Sequence, residues 1–152
     1  MNTLVRKAVP SDVGPLIALS RRTISASYRP FLGDEAVDAF IGGDAVDQYV
    51  KENVARCSVI LSEGEVVGYA VCRDNLIDLL MIDHAAHRRG LGTRLLAWLE
   101  EMLFQSYSEL RLESFEGNQS ANAFYRKHGW LEVSRYFDKD AGVNKIVFRK
   151  PV

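Results

Sequence analysis

One continuous stretch limits what this chain can fold into more than any other. From Leu76 to Ile82 the residues LIDLLMI are almost unbroken apolar. HAAHRRGLG then gathers His84, His87, Arg88 and Arg89 around Gly90 and Gly92, and from Leu91 onward Leu95, Leu96, Leu99, Met102 and Leu103 recur at helical intervals. The first run fits a strand buried on both faces, and the leucines give a helix one inward stripe. A buried strand that passes through a glycine turn into an amphipathic helix needs a sheet with helices packed on it, so the chain reads as α/β.

The remaining segments fit the same layered plan. Residues 3–8, TLVRKA, alternate as a strand. Pro10, with Ser11 or Asp12 as N-cap, starts a helix through VGPLIALSRRTISASY that Pro30 is expected to stop. GDEAVDAFI and DAVDQYVKENV, parted at Gly42 and Gly43, read as two short helices with acids in their first turns, where the helix dipole favours them. CSVILS and EVVGYAVC form a hairpin around Glu63 and Gly64. LRLESF is a further strand, NQSANAFYRKHG a helix capped by Asn118 and ended at Gly129, and LEVSRYF with NKIVFRK two last strands around DKDAG. With no repeat, linker or low-complexity tract, residues 1–152 are expected to form a single domain around one mixed sheet.

Charge narrows the partners. The 19 basic and 20 acidic residues leave a formal net charge of -1, so no global field holds a polyanion and no nucleic acid is expected as a partner. No stretch reaches the roughly 18 to 20 apolar residues that cross a bilayer. The opening MNTLVRKAVPSD lacks the apolar run of a secretion signal, so a cytoplasmic protein without membrane contact is expected. Cys57 and Cys72 have neither CxxC spacing nor a histidine at ligand intervals, so no metal site is expected and both thiols are expected reduced. A hairpin symmetric about Gly64 and Glu65 would bring the two near each other, and the sequence leaves that open.

The glycine turn has its own chemistry. A helix N-terminus leaves about four backbone N–H groups without partners and carries roughly half a positive charge, so an anion placed there satisfies both. Glycines at 90 and 92 let ligand oxygens approach the backbone and let successive amides turn inward, while Arg88, Arg89 and Arg94 add charge at the mouth. The spacing is neither that of a P-loop nor of the GxGxxG dinucleotide turn, since Gly92 is followed three residues on by Leu95.

LLMIDHAAHRRGLGTRLLAWLE followed by NQSANAFYRKHGW resembles the Gcn5-related N-acetyltransferases. Their acetyl-CoA loop has Gln or Arg, two residues, Gly, one residue, then Gly or Ala. Their later helix has the pattern N-x-x-A-x-x-F-Y-x-x-x-G followed by Phe or Trp. The second pattern is matched in full by Asn118, Ala121, Phe124, Tyr125, Gly129 and Trp130, and the first at Gly90 and Gly92, with His87 in its opening position. The resemblance implies a mixed, mostly antiparallel sheet of about seven strands flanked by helices, with splayed central strands. It implies that the amides of Arg88, Arg89, Gly90, Leu91, Gly92 and Thr93 hold the pyrophosphate of acetyl-CoA, and that the pantetheine arm pairs with Leu80, Met81 and Ile82 like an added strand.

On the same footing Tyr125 is expected to protonate the departing thiolate, Asn118 to contact the coenzyme while capping its helix, and Glu113 to act as base. Tyr69, Glu116 and Asp78 are further candidates for that base. Tyr28 and Tyr69 are expected at the acceptor, with Tyr49 near it. The acids Asp34, Glu35, Asp38, Asp44, Asp47 and Glu52 would suit a cationic amine there, or simply form a solvated helix face. The acceptor is a small-molecule or protein amine, and a homodimer is allowed. A non-catalytic acetyl-CoA sensor is the alternative, with the intact Asn118 and Tyr125 favouring an enzyme. An RNA-binding domain using Arg88, Arg89 and Arg94 is a third reading.

Overall fold

In the computed structural model, which describes residues 2–152, seven strands join one sheet. The chain runs β1 (Thr3–Lys7), a 3-10 turn (Pro10–Asp12), α1 (Val13–Ser27), α2 (Arg29–Leu32), α3 (Asp34–Gly42), α4 (Ala45–Asn53) and a second 3-10 turn (Val54–Arg56). It continues through β2 (Cys57–Ser62), β3 (Glu65–Arg73), β4 (Leu76–Ile82), a third 3-10 turn (His84–Ala86), α5 (Leu91–Phe104), β5 (Glu109–Phe115), α6 (Gln119–Lys127), β6 (Leu131–Asp138) and β7 (Val143–Pro151). The strand order is β1-β2-β3-β4-β5-β7-β6, and every neighbouring pair is antiparallel except β4 and β5, which the α5 crossover joins in parallel.

Each face of the sheet carries its own core. On one face Leu91, Leu95, Leu96 and Leu99 of α5 and Tyr125 of α6 pack with Ile77, Leu110, Leu112, Trp130 and Phe148. On the other, Leu16 and Leu19 of α1, Val37 of α3 and Val46 and Val50 of α4 cover Val59, Tyr69, Val71 and Met81. The helical leucine spacing and the strand alternation thus meet in two separate apolar layers.

Several local expectations are corrected. Pro30 does not stop a helix but sits at the start of α2, where its missing N–H is among those left unpaired anyway. Asp12 precedes α1 without capping it, because its carboxylate is taken by Arg6 (2.8 and 3.1 Å) and by the Val9 amide (2.8 Å). β4 is not buried on both faces along its length: Ile77 and Met81 are buried and Asp78 is exposed. Cys57 pairs in register with Val71, so Cys72 lies one position along and packs in the opposite layer. Both thiols are free and burial pushes each up to about 11.

The end of β4 is seated by one glycine. Gly68 pairs with Ile82, and a Cβ there would lie 2.6 Å from Ile82 Cδ1 and 2.8 Å from the Met81 carbonyl oxygen. Gly68→Ala is therefore expected to cost about 1–3 kcal/mol through overpacking against backbone, read as a lower urea midpoint at unchanged m-value. A variant as stable as the parent would show that this end of β4 yields freely.

Candidate active site

The site begins where two strands part. β4 and β5 pair only at Leu76 with Arg111 and Ile77 with Leu112. Just beyond, the β3–β4 register passes from Cys72 opposite Ile77 to Val71 opposite Leu79, so Asp78 is an extra residue without a β3 partner. Such a bulge bends its strand and sharpens its twist, and β4 leaves β5 from that point. The backbone on the β5 side of Leu80 and Ile82 is left open: the Asp83 amide donates to Val67 O on β3 (2.8 Å), so by alternation the groups of Ile82 face the gap. One of them is already engaged, because His87 Nε2 lies 2.8 Å from the Ile82 carbonyl oxygen.

The loop after β4 is held from α1. Arg22 forks onto both carboxylate oxygens of buried Asp83 (2.6 to 3.1 Å), Asp83 also accepts from the Ala85 amide, and the His84 amide donates to Thr23 Oγ1 at 3.0 Å. Arg88 and Gly90 then adopt left-handed backbone, φ +67° and +74°. Alternating hands in this way turns successive amides toward one concave side. The amides of Arg88, Arg89, Gly90, Leu91, Gly92 and Thr93 have no hydrogen-bond partner among the described residues, the first turn of α5 closing at Arg94 N to Gly90 O (3.1 Å). Six free donors at the N-terminus of a fourteen-residue helix suit a diphosphate. Beside them lies a cavity of about 550 Å³ lined by Leu80, Met81, Ile82, Arg88, Gly90, Leu91, Gly92 and Thr93. Arg89 is exposed and does not line it.

A second cavity of about 530 Å³ opens on the α1–α4 side. The two share Tyr28, Leu80, Met81, Asn118, Ala121 and Tyr125, so these residues form the junction. Asn118 caps α6 by accepting from the Ala121 amide (3.3 Å). Tyr125 follows two turns on, between Phe124, Trp130 and Phe148 with ring centroids 5.5 to 6.2 Å away. Its hydroxyl bonds to no described residue, and burial pushes its phenol well above the ordinary range, so it stays protonated. Tyr28 is likewise pushed up to about 12 by burial. Tyr69 lines the second cavity, and its hydroxyl is bound to Ser20 Oγ at 2.7 Å.

Glu113 lines the second cavity and accepts a short hydrogen bond from the Tyr136 hydroxyl, which holds that phenol up at about 12. Tyr49 donates in the same way to Asp78 Oδ2 (2.5 Å). Glu116 is instead paired with Arg135 at 3.1 Å and stands outside the lining. The acids of the first helices are also outside it: Asp34 and Asp38 pair with Arg29, and Asp47 with Arg21. Cavity acidity comes from Asp78, Glu113, Asp138 and Asp140, of which the last two, on the β6–β7 hairpin, carry no sequence signal of their own.

The Arg22 guanidinium holds the Asp83 carboxyl below the usual carboxylate range. A carboxyl lowered in the folded state stabilises it above the unfolded value and loses that contribution as pH falls through the folded one. Asp83→Asn is expected to cost about 1–2 kcal/mol at neutral pH, discounted because Arg22 is half exposed. The gap between parent and variant melting temperatures should begin to close below about pH 4 and vanish only once pH is below the lowered folded-state value. A gap that persists in acid would assign the loss to packing rather than to the ion pair.

Comparison with known proteins bears on this arrangement. The profile of the acetyltransferase (GNAT) family matches residues 22–130. A Gcn5-related N-acetyltransferase structure from Rhodopseudomonas palustris aligns over 100% of this chain and 97% of its own, with TM-score 0.86 and 17% identity. The PaiA N-acetyltransferase of Thermoplasma acidophilum in complex with coenzyme A aligns over 100% of both chains, with TM-score 0.83 and 16% identity. A ribosomal-protein alanine N-acetyltransferase from Escherichia coli aligns over 99% of this chain and 94% of its own, with TM-score 0.69 and 18% identity. Comparison with curated proteins gave no match. At these identities the structures speak to the fold, and the profile to the family. From its α1 anchor through the glycine turn to Trp130, the chain belongs to the acetyltransferase (GNAT) family, whose co-substrate is acetyl-CoA.

Proposed function

We propose that residues 1–152 act as one N-acetyltransferase domain, moving the acetyl group of acetyl-CoA to a primary amine by direct attack with both substrates bound. The observation that carries this reading is the meeting of two cavities at Tyr125, one beside six free amides and the other lined by carboxylates. Acetyl-CoA supplies an activated acyl carbon and a thiolate leaving group. The amides of residues 88–93 hold its diphosphate, and the open backbone of Leu80 and Ile82 aligns its amide-bearing arm. The Ile82 N–H then lies where a developing oxyanion needs a donor.

Proton transfers follow from the side chains. An amine with a reference pKa of about 10.4 is almost wholly protonated at neutral pH, a handicap of roughly 4 to 5 kcal/mol that the site must offset. Glu113, directly or through water, accepts the first proton. The nitrogen then attacks, the C–N bond forms and the C–S bond breaks. As the C–S bond breaks, the Tyr125 hydroxyl passes its proton to the sulfur, whose parent pKa is about 8.5, while taking the second proton of the nitrogen, so that no free phenolate forms. Both cysteines lie outside the cavities and are pushed up in pKa, which favours direct attack over a covalent thiol route. A cytoplasmic location fits the two unpaired thiols.

Tyr125→Phe is expected to lower kcat by about 100-fold, at the lower end of what a positioned acid contributes, while the acetyl-CoA dissociation constant changes little. Steady-state kinetics beside calorimetric binding reads both, and an unchanged kcat removes Tyr125 from the chemistry. Gly92→Val places methyls where oxygens must approach, and is expected to raise the acetyl-CoA dissociation constant at least tenfold, about 1.4 kcal/mol. Undiminished affinity in the folded variant would show that the diphosphate sits elsewhere. Failure to transfer acetyl to any amine, with acetyl-CoA still bound, would identify a sensor.

A further inference from the structure

The second cavity also bears on which amine is acetylated, given that the chain is the N-acetyltransferase proposed above. We infer that the acceptor is a compact free amine carrying a second cationic group, rather than a lysine or N-terminus displayed on a folded protein.

Confinement between two walls is the first ground. It is walled by α1–α4 on one side and by the β6–β7 hairpin on the other, and both walls are pinned to the same β5–α6 segment. On the helical side Phe31 stacks near Phe115 (5.6 Å between centroids) and Tyr28 (5.3 Å). Phe31 also lies so close to Gly117 that a Cβ there would meet its own at 2.5 Å. On the hairpin side Tyr136 bonds Glu113 and Arg135 pairs with Glu116. A folded protein would have to reach between these walls with one side chain, whereas a free amine enters whole. The cavity of about 530 Å³ between the walls falls in the roughly 300–1,000 Å³ range of small-molecule pockets.

Charge is the second ground, and it selects among the small amines that fit. Four lining residues are acidic, Asp78, Glu113, Asp138 and Asp140, against one base, Lys145. Lys145 is used by Asp138 at 3.0 Å, and that carboxylate also caps the hairpin turn through the Asp140 and Ala141 amides. Arg73 reaches Asp78 only at 4.0 Å. Glu113 and Asp140 have no cation within 4.0 Å among the described residues. A single ammonium leaves part of this surplus unanswered, and because Asp78, Glu113 and Asp140 are exposed each such contact is screened by salt.

Placement sorts the carboxylates. Asp78 and Glu113 each stand one residue past the last β4–β5 pair, so they floor the cavity at the gap, and each is steadied by a tyrosine hydroxyl. Asp140 stands at the hairpin turn, on the opposite wall. The reacting amine is taken at the floor beside Tyr125, and the second cation at Asp140.

Initial rates of acetyl-CoA consumption with diaminobutane, butylamine, aminobutanol and a lysine-containing peptide test this. Diaminobutane is expected to exceed butylamine and aminobutanol in kcat/KM by about tenfold at low salt, one well-formed charge contact. That preference should shrink in high salt and in Asp140→Asn, whose folding is checked by its acetyl-CoA affinity. If butylamine or aminobutanol serves as well as diaminobutane, or the peptide serves better, the acceptor class is overturned while the N-acetyltransferase reading stands. If no amine is acetylated although acetyl-CoA binds, both fall together.

Discussion

β4 and β5 share two paired positions and then separate, and nearly everything the site offers depends on that separation. Backbone donors and acceptors in the middle of a sheet are normally consumed by a neighbouring strand. Here the unpartnered Asp78 turns β4 away, which leaves open N–H and C=O groups in the interior of a sheet rather than at its edge. An extended ligand can add itself there as a missing strand does. The same divergence lets a cavity from each face of the sheet reach the gap, and the two cavities meet at Tyr125.

The two halves use different physics. On the side proposed for the coenzyme the free groups are main-chain amides, pre-set by left-handed Arg88 and Gly90 and tied to α1 through the Arg22–Asp83 pair. Such donors are already oriented, so little ordering is needed when an anion arrives. On the side proposed for the acceptor the groups are carboxylates on three different strands and a turn, Asp78 and Glu113 steadied by phenols and Asp138 by Lys145 and backbone amides. Between them the Tyr125 ring is packed among Phe124, Trp130 and Phe148, surroundings that disfavour its anion and keep it protonated.

What could be read from the sequence follows from the range of the interactions involved. The buried run, the glycine turn, the leucine stripe of α5 and the Asn118 cap are local patterns, and each element they mark forms where its residues predict. The bulge at Asp78 depends on how β3 and β4 align, and nothing in LIDLLMI itself announces an extra residue. The Tyr136–Glu113 and Tyr49–Asp78 bonds join residues 23 and 29 positions apart. The acids along the first helices suit either a cationic amine or a solvated face, and the fold matches the second, because arginines within those helices pair with several of them and none lines the cavity. His87 illustrates the same limit: its sequence position marked the loop, and only the fold shows its ring on the Ile82 carbonyl.

The most direct measurement is a crystal structure with acetyl-CoA bound. We expect diphosphate oxygens within hydrogen-bonding distance of the amides of residues 88–93, the arm along Leu80 and Ile82, and the sulfur beside the Tyr125 hydroxyl. A diphosphate held only by the side chains of Arg88, Arg89 and Arg94, or a thioester remote from Tyr125, would contradict the arrangement on which the proposed chemistry stands.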